Sequence, residues 1–169
     1  DWYIELAKLA FQGGDDERRR AAQSTLVAVL RGALTALHPV MPFVTDEIAA
    51  SLPDADGRFL MEGRYPERGE PLDAGSAREM DTLVDVVTRI RQVRGELELP
   101  QSTLVGVTFP SAAEAFVRRH GAAIRALARA AQPLCSDEPP SPTASVVLVQ
   151  GWSLRVELDD PRFVADELR

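Results

Sequence analysis

The residues of this chain that could do chemistry are its arginines, and the chemistry they suit is holding phosphates. Arg18, Arg19, Arg20 and Arg31 lie between Glu17 and Asp46, a stretch with no acid inside it. Arg118, Arg119, Arg125 and Arg129 lie in a second acid-free stretch, between Glu114 and Asp137. Arg89, Arg91 and Arg94 make a third group, although Asp85 stands four residues before Arg89 at helical ion-pair spacing. The acids crowd instead into the connections, at Asp54, Asp56, Glu67, Glu70 and Asp73, and into the tail. A net charge of −7 argues against indiscriminate RNA binding, which runs on phosphate neutralisation. Positive helices with negative loops still present a basic face.

The remaining reactive groups read as structure. Asp46 and Glu47 are adjacent carboxylates at a helix start, where the positive end of the helix dipole favours them. That outweighs a catalytic dyad. His38 stands at a helix end before Pro39, placed to cap free carbonyls. His120 reads as boundary packing and Cys135 as a small buried hydrophobe. One cysteine and two distant histidines make no zinc set, which needs about four ligands. A single cysteine forms no internal disulfide and fits a reducing cytoplasm. No apolar run approaches the length of a membrane span, and no signal peptide is present. The chain opens at Asp1 inside a hydrophobic pattern, as expected of a piece excised from something longer.

The 169 residues fit one domain or two small ones. Asp1 to Phe11 reads as a helix with Trp2, Tyr3, Leu6, Leu9 and Ala10 on its core side. Asp15 or Asp16 caps a long helix from Glu17 to His38, with Leu26, Leu30, Ala33 and Leu37 as its apolar stripe and Val27 and Leu34 widening it. Pro39 ends that helix and Pro42 opens the next. Between them is a tight corner with Val40, Met41 and Phe43 directed inward, and Phe43, Ile48 and Leu52 carry a third helix that stops at Pro53. Residues 54–74 read as an irregular connector lying across the bundle.

From Ser76 to Leu99 the spacing predicts a helix with Met80, Leu83, Val84, Val87, Ile90 and Leu97 buried. Leu104 to Phe109 alternates as a strand. Ser111 caps a helix carrying Phe116, split at Gly121 from one carrying Ile124 and Leu127. Val146 to Val149 reads as a strand covered on both faces, Gln150-Gly151 as a tight turn, and Trp152 to Leu158 as a half-exposed strand. The expected fold is mainly α: a helical bundle over 1–74, then a small α/β subdomain over 75–169, with a three-stranded sheet, packed on the bundle.

The string His38-Pro39-Val40-Met41-Pro42-Phe43-Val44-Thr45-Asp46-Glu47-Ile48 resembles the bundle corner of class I aminoacyl-tRNA synthetases, in the domain that holds the anticodon stem. The valine enzymes are the nearest in pattern. Asp1-Trp2-Tyr3-Ile4-Glu5 is similar to the helix entering this part of their bundle, and Ile90-Arg91-Gln92-Val93-Arg94-Gly95-Glu96 to their I-R-x-x-R-x-E segment, followed by Pro100 and a strand. The resemblance covers essentially the whole chain. The catalytic signatures H-I-G-H and K-M-S-K-S are absent, and Lys8, the only lysine, excludes the second. The editing domain is absent too, and the tail from Asp159 shows no sustained heptads, at most a helix start at Val164 to Leu168.

The resemblance implies a tRNA-binding piece of a cytoplasmic, ATP-dependent valine–tRNA ligase used in protein biosynthesis. The piece itself is expected to be monomeric and non-catalytic and to carry no cofactor; ATP and Mg belong to the parent's catalytic domain. Its partners would be the valine tRNA and the catalytic and editing domains of the same parent chain. Arg91 and Arg94, from the matching segment, become the first candidates for RNA contact. Arg18, Arg19, Arg20 and Arg31 come second, and Arg89 is weakened by Asp85. The alternatives are the same domain of an isoleucine or leucine enzyme, or a helical scaffold without RNA recognition. A stand-alone enzyme ranks third, for want of any catalytic set.

Overall fold

The computed structural model describes residues 2–53, 57–67, 69, 73–142 and 144–158. Expectations for Asp1, Asp54, Asp56, Glu70 and the tail from Asp159 lie outside the described residues. By proximity the chain divides into two compact units, residues 3–71 and residues 72 onward, with Trp2 counted in the second.

The first unit is helical. Helix α1 (Trp2–Gln12) buries Ala7, whereas Tyr3, expected on the core side, is 41% exposed. The Asp15 carboxylate accepts the N–H groups of Glu17 and Arg18 at 3.0 and 3.1 Å and so caps α2 (Asp16–Leu37). Helix α3 (Pro42–Ala50) opens on Pro42, where a missing N–H costs nothing.

The corner between α2 and α3 turns its apolar residues outward, contrary to expectation. Val40 is 80% exposed and Phe43 90%, while Thr45 is only 1% exposed. The Thr45 hydroxyl donates to the Met41 carbonyl at 2.8 Å and lies 2.8 Å from His38 Nδ1. His38 thus serves a side chain rather than free carbonyls. Helix register explains the reversal. Pro42 sets the start, Thr45 and Ala49 share one face, and Phe43 falls about 200° from Thr45 at roughly 100° per residue.

Among the described residues Leu34, Ala49 and Leu60 form one buried cluster, with Leu52 against them. Of the expected α2 stripe only Leu34 is buried, and Leu30 and Leu37 are exposed, because α3 and a single 3-10 turn (Leu60–Glu62) meet α2 around Leu34; Ala22, outside the stripe, is buried too. The connector lies across these helices where it is described. Asp46, in the second turn of α3 rather than at its dipole end, accepts the Leu60 N–H at 2.9 Å, and the Tyr65 hydroxyl reaches the Ala36 carbonyl at 3.4 Å.

The second unit begins with α4 (Ala74–Glu96), capped by Asp73, which accepts the N–H groups of Gly75 and Ser76. Those bonds, the one from Ser76 above all, hold the Asp73 carboxyl below the ordinary aspartate value. The buried face runs through Leu83, Val86, Val87, Ile90 and Val93. Val86 and Val93 stand where Met80 and Leu97 were expected; Met80 is 37% exposed.

Strand β1 (Val105–Phe109), helix α5 (Glu114–Ala128), β2 (Leu134–Cys135), β3 (Ser145–Val149) and β4 (Trp152–Leu158) complete the unit. The sheet order is β2-β1-β4-β3, four strands rather than three. Strand β2, too short to show alternation, pairs parallel to β1 through Thr108 and Phe109, so β1–α5–β2 is a crossover unit. Helix α5 runs through Gly121 without a break, and Ser111 begins a 3-10 turn instead of capping, its N–H held by Asp137 at 2.9 Å. Gln150 and Gly151 both take positive φ, +50° and +83°, the turn that suits the twist of a two-residue hairpin. Strand β3 is an edge with one open face: Val146 is 53% and Leu148 70% exposed, so the expected cover on both faces is not there. On β4, Arg155 is only 9% exposed and donates to the carbonyls of Ser136 and Glu138.

Helices α4 and α5 are also tied by charge. Glu79 accepts from Arg119 Nη1 at 2.7 Å and pairs with His120 Nε2 at 2.9 Å, and the His120 ring lies 4.8 Å from that of Phe116. The histidine bond, then the arginine, hold the Glu79 carboxyl below the ordinary glutamate value. Stability from a depressed carboxyl pKa is present above the unfolded pKa and is lost as pH falls through the folded one. E79Q is therefore expected to lower the thermal midpoint at neutral pH, with the gap to the unaltered chain closing on acidification below the glutamate range. A gap that persists unchanged in acid would disprove the tie.

Candidate nucleic-acid interface

The I-R-Q-V-R segment forms the last turns of α4, and its two arginines have different surroundings. Arg94 is 8% exposed. Its guanidinium donates to the carbonyls of Thr103 at 2.6 Å, Pro100 at 2.9 Å and Arg129 at 3.5 Å. Pro100 and Thr103 lie in the loop between α4 and β1, and Arg129 closes α5, so one side chain ties the loop to the end of α5. Burial, and then the charge of Arg129, pull the Arg94 pKa below its ordinary value. A guanidinium nevertheless stays charged at neutral pH. Arg94 is thus turned inward and positions its neighbours, whereas it was expected among the first RNA contacts.

Arg91, one turn earlier, is exposed and donates from Nε to the Leu127 carbonyl at 3.0 Å. That bond holds the side chain along the end of α5. Arg129 ends α5 in the left-handed conformation, φ +55°. Its carbonyl accepts the Val105 N–H at 3.2 Å, which joins helix end to strand start. Arg91, Arg94, Gly95, Gln101, Leu127 and Arg129 line a notch of about 330 Å³. It offers an anion two exposed guanidinium groups above a buried third.

Arg89 bonds Gln92 Oε1 at 3.2 Å, not Asp85 as the spacing suggested; Asp85 takes the Gln150 amide at 2.9 Å. Arg18 and Arg19 pair with Asp15 and Asp16 in the first turn of α2. Such exposed pairs are worth about 0–1 kcal/mol, so a phosphate exchanges with them at little cost. Arg20 is exposed on the same turn. Arg31 is half-buried and lines two clefts of the first unit together with Arg58 and Phe59. Arg58 and Arg64 escaped selection because they lie in a connector, where periodicity carries no signal; Arg129 was grouped with Arg118, Arg119 and Arg125, and only the structure sets it beside Arg91 and Arg94. Among the described residues no three His, Cys, Asp or Glu side chains gather as metal ligands. Nor is any helix long and apolar enough to cross a membrane.

Residues 1–109 match the family described as the anticodon-binding domain of tRNA ligase. The chain belongs to that family. The matched part contains the bundle corner and the arginine-bearing end of α4, and it stops with β1. Similarity to curated relatives runs further. The chain is 37% identical to the valine–tRNA ligase of Agrobacterium fabrum over 154 residues, 88% of this chain and 16% of that protein. It is 31% identical to the Listeria innocua valine–tRNA ligase over 164 residues, 94% of this chain and 18% of that protein. The Geobacillus kaustophilus valine–tRNA ligase is 40% identical over 103 residues, 60% of this chain and 12% of the relative. The chain thus spans less than a fifth of the length of these relatives.

The two arginines of the segment are expected to separate on mutation. R94A strips a charged donor from buried carbonyls, at about 1.5–3 kcal/mol for each good bond, so urea unfolding is expected to show a loss of about 3 kcal/mol or more. R94K is expected to restore only part of it, since an ammonium lacks the planar fork. R91A is expected to cost about 1 kcal/mol or less. Equal costs for R94A and R91A would contradict the assignment.

Proposed function

We propose that this chain binds the anticodon stem and loop of a valine tRNA. It orients the tRNA while a catalytic domain of the same parent protein, using ATP and Mg, attaches valine to the distant end. The match of residues 1–109 to the anticodon-binding domain family carries this reading. The valine–tRNA ligases among its relatives support the choice of amino acid. The residues suit the task. Arg91 and Arg129 at the notch, Arg89 elsewhere on α4, and Arg18, Arg19, Arg20 and Arg31 on α2 supply cations for stem phosphates. Unpaired loop bases are where proteins usually read RNA sequence. The chain acts in the cytoplasm and performs no aminoacylation itself.

Titration with valine, isoleucine and leucine tRNAs at low and moderate salt tests this. The valine tRNA is expected to bind best and to weaken as salt rises. R91A is expected to lower the slope of log affinity on log salt by about one phosphate's share, 0.7–0.9. Absence of binding at low salt would overturn the proposal, and so would valine charging by the purified chain alone.

A further inference from the structure

Two clefts of the first unit share Arg31, Arg58 and Phe59. The larger, about 490 Å³, is bounded by Phe43, Asp46 and Glu47 of α3. The smaller, about 280 Å³, runs on to Glu62 and Arg64. Phe43 is 90% exposed and Phe59 60%. Leaving a phenylalanine in water forgoes about 1.5–3 kcal/mol of burial, and the buried cluster of Leu34, Ala49 and Leu60 closes without either ring.

Both rings are held in place from behind. Phe43 sits in the first turn of α3, whose start is set by Pro42 and by the Thr45 hydroxyl bound back to Met41. Asp46 takes the Leu60 N–H at 2.9 Å and so anchors Leu60 in the core, which leaves Phe59, one residue earlier, at the cleft. Arginine charge and exposed aromatic rings around one cleft are the combination that binds single-stranded nucleic acid: cations follow the backbone, and rings stack the bases.

We propose that this cleft takes one unpaired nucleotide of the bound tRNA, its base against Phe43 and Phe59 and its phosphate beside the arginines. The proposal rests on the tRNA-binding reading above and deepens it. A paired base offers no free face, so the cleft selects a splayed loop nucleotide over the stem. The volume fits, since small-molecule sites run from about 300 to 1,000 Å³.

The test uses the intact chain and an RNA hairpin with the sequence of the valine tRNA anticodon stem and loop. A second probe is the stem alone as a closed duplex, and a third is the hairpin with a fluorescent purine analogue in its loop. F43A and F59A are each expected to weaken hairpin binding by about 5- to 150-fold, the worth of one stacked base. They are expected to abolish quenching of the analogue, while duplex binding and the thermal midpoint stay as they were. F43W, which keeps a ring, is expected to retain affinity and quenching. Hairpin binding by the unaltered chain with no loss in F43A or F59A would overturn the cleft and leave the tRNA reading standing. Equal losses for hairpin and duplex would also overturn it, since stacking acts only on the loop. No binding of hairpin or whole tRNA at low salt would bring down both.

Discussion

In both units, side chains bonded to the backbone of a neighbouring segment fix the course of the chain. In the second unit one guanidinium does most of this work. Arg94 gathers the carbonyls of Pro100, Thr103 and Arg129, so α4, the approach to β1 and the end of α5 share one donor. In the first unit short side chains do the same. Thr45 bonds back to Met41 and is held by His38, and Asp46 reaches out to the N–H of Leu60. A buried polar group left alone costs more than its bond contributes, so these ties decide where the following segment can lie.

The functional surface follows from those ties. Arg94 is committed to carbonyls, and Arg91 and Arg129 line the same notch. Because Asp46 pins Leu60, the connector passes over α2 and α3 at one height, with Phe59 and Arg58 on the cleft. The acidic net charge is no obstacle. Positive side chains are concentrated on helix ends and in acid-free runs, so the field near them differs in sign from the average. A partner carrying regularly spaced phosphates meets that local field first. Under the proposed function that partner is a tRNA.

The arginines also show how one residue type serves two ends. Arg94 and Arg155 are only 8% and 9% exposed and hold carbonyls. Arg18, Arg19 and Arg91 are exposed; the first two pair with acids of their own turn, and Arg91 bonds the Leu127 carbonyl and lies over the Trp2 ring at 5.2 Å. Spacing in the sequence is the same for both kinds. Arg91 and Arg94 fall in one helical segment, and only the loops packed over Arg94 separate their roles.

Local chemistry was legible in the sequence. The caps at Asp15, the stops at Pro39 and Pro53, the alternation of β1 and β4 and the Gln150-Gly151 turn each follow from a few neighbouring residues. So do the helices, because apolar spacing and capping act within a turn or two. The face that a helix buries did not follow in the same way. Leu30, Leu37 and Phe43 repeat at core spacing and stand in water, while Thr45 is buried, because burial depends on which distant segment arrives. The strand Leu134–Cys135 exists only because β1 is there to pair with it. Periodicity states that a face is apolar. What covers that face, and which arginine turns inward, is settled by residues far along the chain, and so only by the tertiary structure.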